Sequence, residues 1–221
     1  EDRFAGPRPR WELAGATVTD DVRPYERVKL RVLNAAHSML AYLGALAGHE
    51  TIAQAVADPR LHSIVADTLE RDVLPTLHAP EGMNLEQYRD QVLERFANPS
   101  LPHTTLQVAM DGSQKLPIRM LETAAECLRA GRVPHGLATG VAAWIAFIAE
   151  AMTGRFMLDD PAAEALRSAV GSPEDARERP RQVVERVSLI PGIFADEVRE
   201  PRFLTAVADA LRPLIPATGA A

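Results

Sequence analysis

The chain is 221 residues long, 47% apolar and 24% charged, with a formal net charge of −6. That length suits one large domain, or a domain plus an arm, with enough apolar residues for a core. The acidic balance argues against a nucleic-acid partner, which would want a basic face, and the single Cys127 excludes an internal disulfide framework.

Residues 1–23 read as an irregular connector, broken by Gly6, Pro7, Pro9 and Gly15, with one short extended piece expected at Thr17-Val18-Thr19. The opening from Glu1 to Trp11 does not look like a natural start, so a piece of a longer protein is expected. No secretory signal is expected either. Pro24 then suits the first turn of a helix, with Glu26 close behind. Apolar residues recur at Tyr25, Val28, Val32, Ala36, Met39, Leu43 and Leu46, and Gly48 offers a stop. That spacing predicts a long helix over 24–47.

Further helices are predicted near 50–57, 60–76, 84–96, 104–110, 113–130, 136–153, 161–170, 173–187 and 200–214. Pro59, Pro75, Pro80, Gly82, Pro99, Gly131, Pro134, Gly154, Pro161, Gly171 and Pro191-Gly192 punctuate them. Gly136 to Met152 is nearly apolar but too short and too rich in Ala and Gly for a membrane span, which needs roughly 20 residues. It reads as a buried core helix holding Trp144 and Phe147, and Cys127 as a small buried hydrophobe. No stretch alternates with period 2, so 24–221 is expected to form one all-α domain. A glycine-rich phosphate loop after a strand is also missing.

Of the 24 basic residues only Lys29 and Lys115 are lysine. A chain that uses arginine for nearly every cation keeps lysine for a task arginine cannot perform, above all gaining and losing a proton. On an α-helix, at 100° per residue, His37 lies about 80° and Asn34 about 140° round from Lys29. The three share a broad sector. Lys29 also sits near the positive end of the helix, which disfavours an ammonium. Neighbouring Leu33, Leu40 and Leu43 predict partial burial. A tunable base, an amide and an imidazole suit proton transfer to or from a substrate oxygen. The same three residues could equally form a solvated helix face.

The second dense stretch is Gln107-Val-Ala-Met-Asp111-Gly112-Ser113-Gln114-Lys115-Leu-Pro117. Asp111-Gly112-Ser113 reads as a turn into a helix, with Ser113 as N-cap. His103 and Gln107 are four apart and share a face. An ordinary capped turn explains Asp111, Gly112 and Ser113, but not the clustering of Gln107, Gln114 and Lys115. Elsewhere, His49-Glu50 lacks a second His at metalloprotease spacing, so no metal site is expected. His62, His78 and His135 read as surface or capping residues, and Arg177-Glu-Arg-Pro-Arg181 as a solvated face.

Taken together, these stretches resemble the mannitol dehydrogenase family of polyol-specific long-chain dehydrogenases and reductases, closest in motif to fructuronate reductase-like members. The matching phrases are Glu1-Asp-Arg-Phe, Asp21-Val-Arg-Pro-Tyr25-Glu, Lys29-Leu-Arg-x-Leu-Asn34-Ala-x-His37-Ser, Ala41-Tyr-Leu-Gly44 and the run from Gln107 to Pro117. The likeness is to the C-terminal half of the family. It implies a helical domain like that of 6-phosphogluconate dehydrogenase-like enzymes, preceded by a Rossmann domain absent here, with residues 1–23 as the connector. It implies metal-independent hydride transfer between NAD(H) or NADP(H), held mainly by that other domain, and a ketose, polyol or sugar acid. Lys29 is implied as general acid/base, Asn34 as an oxyanion partner and His37 as a substrate contact. Lys115 is implied to bind hydroxyls or a carboxylate, with His103 and Gln107 lining the substrate site. Mannitol-type members tend to carry Arg where this chain has Gln107. That departure favours a keto-hexuronate over mannitol. The alternatives are a mannitol or polyol 2-dehydrogenase and, in another class, a non-catalytic helical ligand-binding or scaffold module. A cytoplasmic enzyme with no nucleic-acid or membrane partner is expected.

Overall fold

The computed structural model describes residues 4–215. Among these the chain is all-α, and its one β feature is an isolated bridge between Thr51 and Thr104. The short extended piece expected at Thr17–Thr19 does not form. The connector instead contains a 3-10 turn at Trp11–Ala14.

Arg23–Val28, Lys29–Asn34 and Ala35–Ala47 run on as one helix, α1, ended by Gly48 at φ 87°. Its middle segment is a π-turn. The sequence pattern predicts the helix but not the turn. Next come α2 (Ile52–Ala57), with a Thr51–Gln54 capping box, and α3, made of Pro59–Thr68, a π-turn at Leu69–Val73 and a 3-10 turn at Leu74–Thr76. Then follow α4 (Leu85–Phe96) and the short α5 (Thr105–Ala109). Gly112–Leu116, a third π-turn at Pro117–Leu121, and Glu122–Arg129 together make α6.

The buried helix expected near 136–153 is α7 (His135–Ala151). Every residue from Gly140 to Ala151 is buried, and Trp144 and Phe147 lie in the core. Pro134 cannot cap its N-terminus with a side chain. Buried Asp72 of α3 does so instead, taking the Leu137 N–H at 3.0 Å. α8 is Ala163–Val170. One helix over 173–187 was expected, but two form, α9 (Pro173–Glu178) and α10 (Pro180–Ser188). Pro180 has no N–H to bond into the preceding turn and disfavours helical backbone at Arg179, which sits at φ −125°. α11 (Pro201–Leu211) completes the fold and packs with α1 against α7.

Side-chain bonds and one close backbone approach hold α6 to α1. Arg31, inside the α1 π-turn and 4% exposed, forks onto Glu126 with two hydrogen bonds of 2.7 Å and reaches Thr76 at 3.2 Å. Arg27 pairs with the same carboxylate. These bonds hold the Glu126 carboxyl below its usual range, Arg31 most of all. Further along, Gly112 starts α6 directly against Tyr42 of α1 and Trp144 of α7. A Cβ there would lie 2.3 Å from the Trp144 Nε1 and 2.8 Å from the Tyr42 hydroxyl.

Gly112→Ala should therefore destabilise the chain by about 1–3 kcal/mol, the usual cost of overpacking, lowering Tm by several degrees. Thermal denaturation followed by circular dichroism checks this. An unchanged Tm would mean that the junction of α1, α6 and α7 has room to spare.

Candidate functional site

The α1 π-turn controls which residues share a face. The Ala35 N–H donates to the Leu30 carbonyl, five residues back rather than four. One extra residue in the turn removes about 100° from the rotation between Lys29 and the residues from Asn34 onward. Asn34 then lies roughly 40° from Lys29, and His37 roughly 20° to the other side. The broad sector read from an α-helix narrows to a stripe two turns long. Lys29 stands at the exposed end, Asn34 is half-buried, and His37 is half-buried at the inner end. The partial burial expected for Lys29 is absent: its side chain is exposed, although Val28, Arg31 and Val32 in the same turns of the helix are buried. Concavities lie elsewhere: one of about 630 Å³ between Arg31, Glu122 and Phe194, and another of about 800 Å³ around His49 and Asp58. The stripe is an open face.

His37 is held by ring contacts. It stacks on Phe96 of α4, with centroids 4.9 Å apart and planes 19° apart, and lies 5.5 Å from His103. Its Nε2 is buried without a hydrogen-bond partner. Burial pulls its pKa from 6.5 to about 4, with further depression by the positive charges of His103, Arg119, Lys115 and Arg95. His37 is therefore a neutral imidazole at pH 7, able both to donate to and accept from a hydroxyl.

The α5–α6 corner supplies the other wall. Asp111 adopts a left-handed conformation (φ 55°), the one non-glycine residue among those described to do so. Its N–H donates to the Asp159 carbonyl at 3.0 Å. Ser113 is not the expected N-cap: helix α6 already begins at Gly112. The Ser113 N–H and hydroxyl instead donate to buried Asp160, at 2.8 and 2.5 Å. The strained corner turns Lys115 back along its own loop, where its ammonium donates to the Met110 carbonyl at 2.5 Å, with Asp111 at 3.7 Å. Burial and then Arg119 push the Lys115 pKa down, against the pull of Asp111.

His37, His103 and Lys115 thus come together. Gln107 sits exposed in the first turn of α5, its N–H bonded to Thr104 Oγ1 at 3.1 Å, and makes no bond to Lys115. The sequence reading missed Arg119. It lies one turn beyond Lys115, inside the third π-turn, and donates to buried Ser38 of α1 at 2.9 Å. Its i,i+4 spacing from Lys115 was the available signal. Nothing in the sequence could signal Phe96, because long-range packing alone brings α4 under His37. Among the described residues no strand–turn–helix forms a cradle for dinucleotide phosphates.

The chain matches the family described as the mannitol dehydrogenase C-terminal domain over residues 21–215. It is 47% identical to the D-mannonate oxidoreductase of Escherichia coli (strain K12) over 147 residues, covering 66% of this chain and 30% of that protein. With the mannitol 2-dehydrogenase of Phaeosphaeria nodorum it shares 33% identity over 220 residues, 97% of this chain and 37% of the relative. Among solved structures, the ternary complex of Pseudomonas fluorescens mannitol 2-dehydrogenase with NAD and D-mannitol superposes with a TM-score of 0.82. It is 28% identical, and the match covers 97% of this chain and 43% of that one. The chain therefore spans less than half the length of these relatives.

Because the folded state holds His37 unprotonated while the unfolded chain does not, stability rises with pH between about 4 and 6.5 and falls as the solution is acidified through that window. His37→Phe should flatten this part of the pH dependence of Tm. NMR titration of wild-type His37 should find it neutral at pH 5.5, and a midpoint near 6.5 would contradict the buried site.

Proposed function

The chain belongs to the mannitol dehydrogenase family as its C-terminal helical domain, and we propose that it carries the proton-transfer half of an NAD(P)-dependent oxidoreductase acting on a keto-hexuronate of the fructuronate kind. The observation that carries this reading is the stripe of Lys29, Asn34 and His37. An ammonium, an amide and a half-buried neutral imidazole follow one another along one side of α1.

When bound by an N-terminal nucleotide-binding domain joined through residues 1–23, the cofactor supplies or accepts the hydride. The Lys29 ammonium gives its proton to the carbonyl oxygen as that oxygen gains charge, and the product is the alcohol. In the reverse direction the Lys29 amine takes the hydroxyl proton. Asn34 donates its amide N–H to the same oxygen, where negative charge develops. His37, kept neutral, donates to or accepts from a neighbouring substrate hydroxyl and so orients it. His103, Gln107 and Lys115 line the substrate side. The exposure of Lys29 suits this arrangement, since a second domain closing over the stripe would exclude water from the reacting oxygen.

The D-mannonate oxidoreductase likeness and Gln107 support an acidic sugar. A polyol dehydrogenase of the same family is the second reading, supported by likeness to mannitol 2-dehydrogenases along nearly the whole chain.

In the full-length protein, Lys29→Arg should keep the fold and the positive charge but lose the transferable proton. Turnover should drop by about 10²–10⁴-fold, the usual contribution of a positioned acid or base. Steady-state kinetics at neutral pH check this. Near-normal turnover would remove Lys29 from the role.

A further inference from the structure

Lys115 and Arg119 are the two cations that the α6 corner turns toward His37, and their surroundings differ. The Lys115 ammonium is largely satisfied within the protein, by the Met110 carbonyl at 2.5 Å, the Val108 carbonyl at 3.5 Å and the Asp111 carboxylate at 3.7 Å. Arg119 has no carboxylate partner among the described residues. Its Nη1 donates to the neutral Ser38 hydroxyl, and its Nε is buried without a partner. The outer nitrogen, Nη2, has no partner either and is not sealed from solvent. A half-buried guanidinium is ordinarily paired, because desolvating a lone charge is costly. Here Arg95, His103 and Lys115 add positive or potentially positive charge around the same imidazole instead. One side of the site therefore carries several cationic groups, of which Lys115 has Asp111 beside it and Arg119 has no carboxylate partner among the described residues.

We propose that Arg119 is a specificity-determining residue that receives the carboxylate of an acidic sugar, with its Nη2 facing the substrate and its Nη1 anchored on Ser38. This rests on the oxidoreductase reading above and changes which residue supplies the charge: Lys115, spent on backbone carbonyls and Asp111, shapes the corner, while Arg119 recognises the anion. Guanidinium suits that task, since its planar fork donates along two parallel directions to a carboxylate. Anchoring on buried Ser38, next to His37 in sequence, fixes the distance between the carboxylate and the hydroxyl that His37 orients.

The test is the ratio of kcat/KM for a keto-hexuronate over its neutral ketose in the full-length enzyme. Arg119→Gln should lower that ratio by roughly 10–150-fold, the range for one hydrogen bond to a charged group. Arg119→Lys, which keeps the charge without the fork, should fall between the two. Lys115→Met should reduce the ratio less than Arg119→Gln does. Ser38→Ala, which removes the anchor but leaves the guanidinium, should lower the ratio less than Arg119→Gln does. A ratio unchanged in Arg119→Gln overturns the assignment, as does an equal loss in Ser38→Ala, which would make Arg119 a helix clamp. A larger loss in Lys115→Met returns the role to Lys115. If the wild-type enzyme itself does not prefer the acid, the uronate reading fails and this assignment fails with it.

Discussion

The Ala35 N–H bonds the Leu30 carbonyl, five residues back, and the alignment of Lys29, Asn34 and His37 follows from the π-turn that this bond closes. Without it, an ordinary α-helix would spread Lys29, Asn34 and His37 over about 140° of its circumference. With it, they form a stripe. A π-turn gives up regular backbone geometry, so something must hold it. Arg31 does so from within the turn: its fork onto Glu126 and its bond to Thr76 tie the distorted segment to α6 and α3 at once. Arg31 is itself buried, so removing Glu126 would leave its charge desolvated, a loss that typically costs about 3–5 kcal/mol. The ion pair and the π-turn therefore form one device.

The domain places its second set of polar groups by a related route. α6 contains its own π-turn at Pro117–Leu121, where proline removes one backbone donor, and Arg119 projects from within it toward α1. Two distorted turns, one on each helix, face each other across the site. Strain at Asp111 and the close approach of Gly112 to Trp144 fix where α6 begins. The positive φ of Asp111, costly for a residue with a Cβ, persists because Asp159 and Asp160 bind the corner from the other side. These features lie where the chemistry is proposed.

Much of the architecture was legible in the sequence, since apolar spacing near 3.6 marks helices strongly and proline and glycine mark their ends. α1 and α7 were both predicted to within two residues at each end. Pro180, not treated as a break, split one predicted helix into two. The π-turns were invisible, because one inserted residue leaves the apolar pattern on either side intact. At the site, Lys29, Asn34 and His37 stood out through lysine scarcity and spacing. Their alignment did not, because it depends on backbone hydrogen bonds. Arg119 was hidden among 22 arginines, and only its burial beside Ser38 distinguishes it. The Lys115 ammonium donates to the Met110 carbonyl, a contact set by the corner and not readable from its spacing.

The central claim is that the stripe created by the π-turn is where the substrate oxygen exchanges its proton. The most direct measurement is a crystal structure of the full-length protein with a sugar acid bound. The reacting oxygen should lie within hydrogen-bond reach of Lys29 Nζ, about 2.6–3.2 Å, with Asn34 on the same oxygen and His37 on a neighbouring hydroxyl. A bound sugar whose reacting oxygen lies beyond the reach of Lys29, with the Ala35-to-Leu30 bond intact, would contradict it.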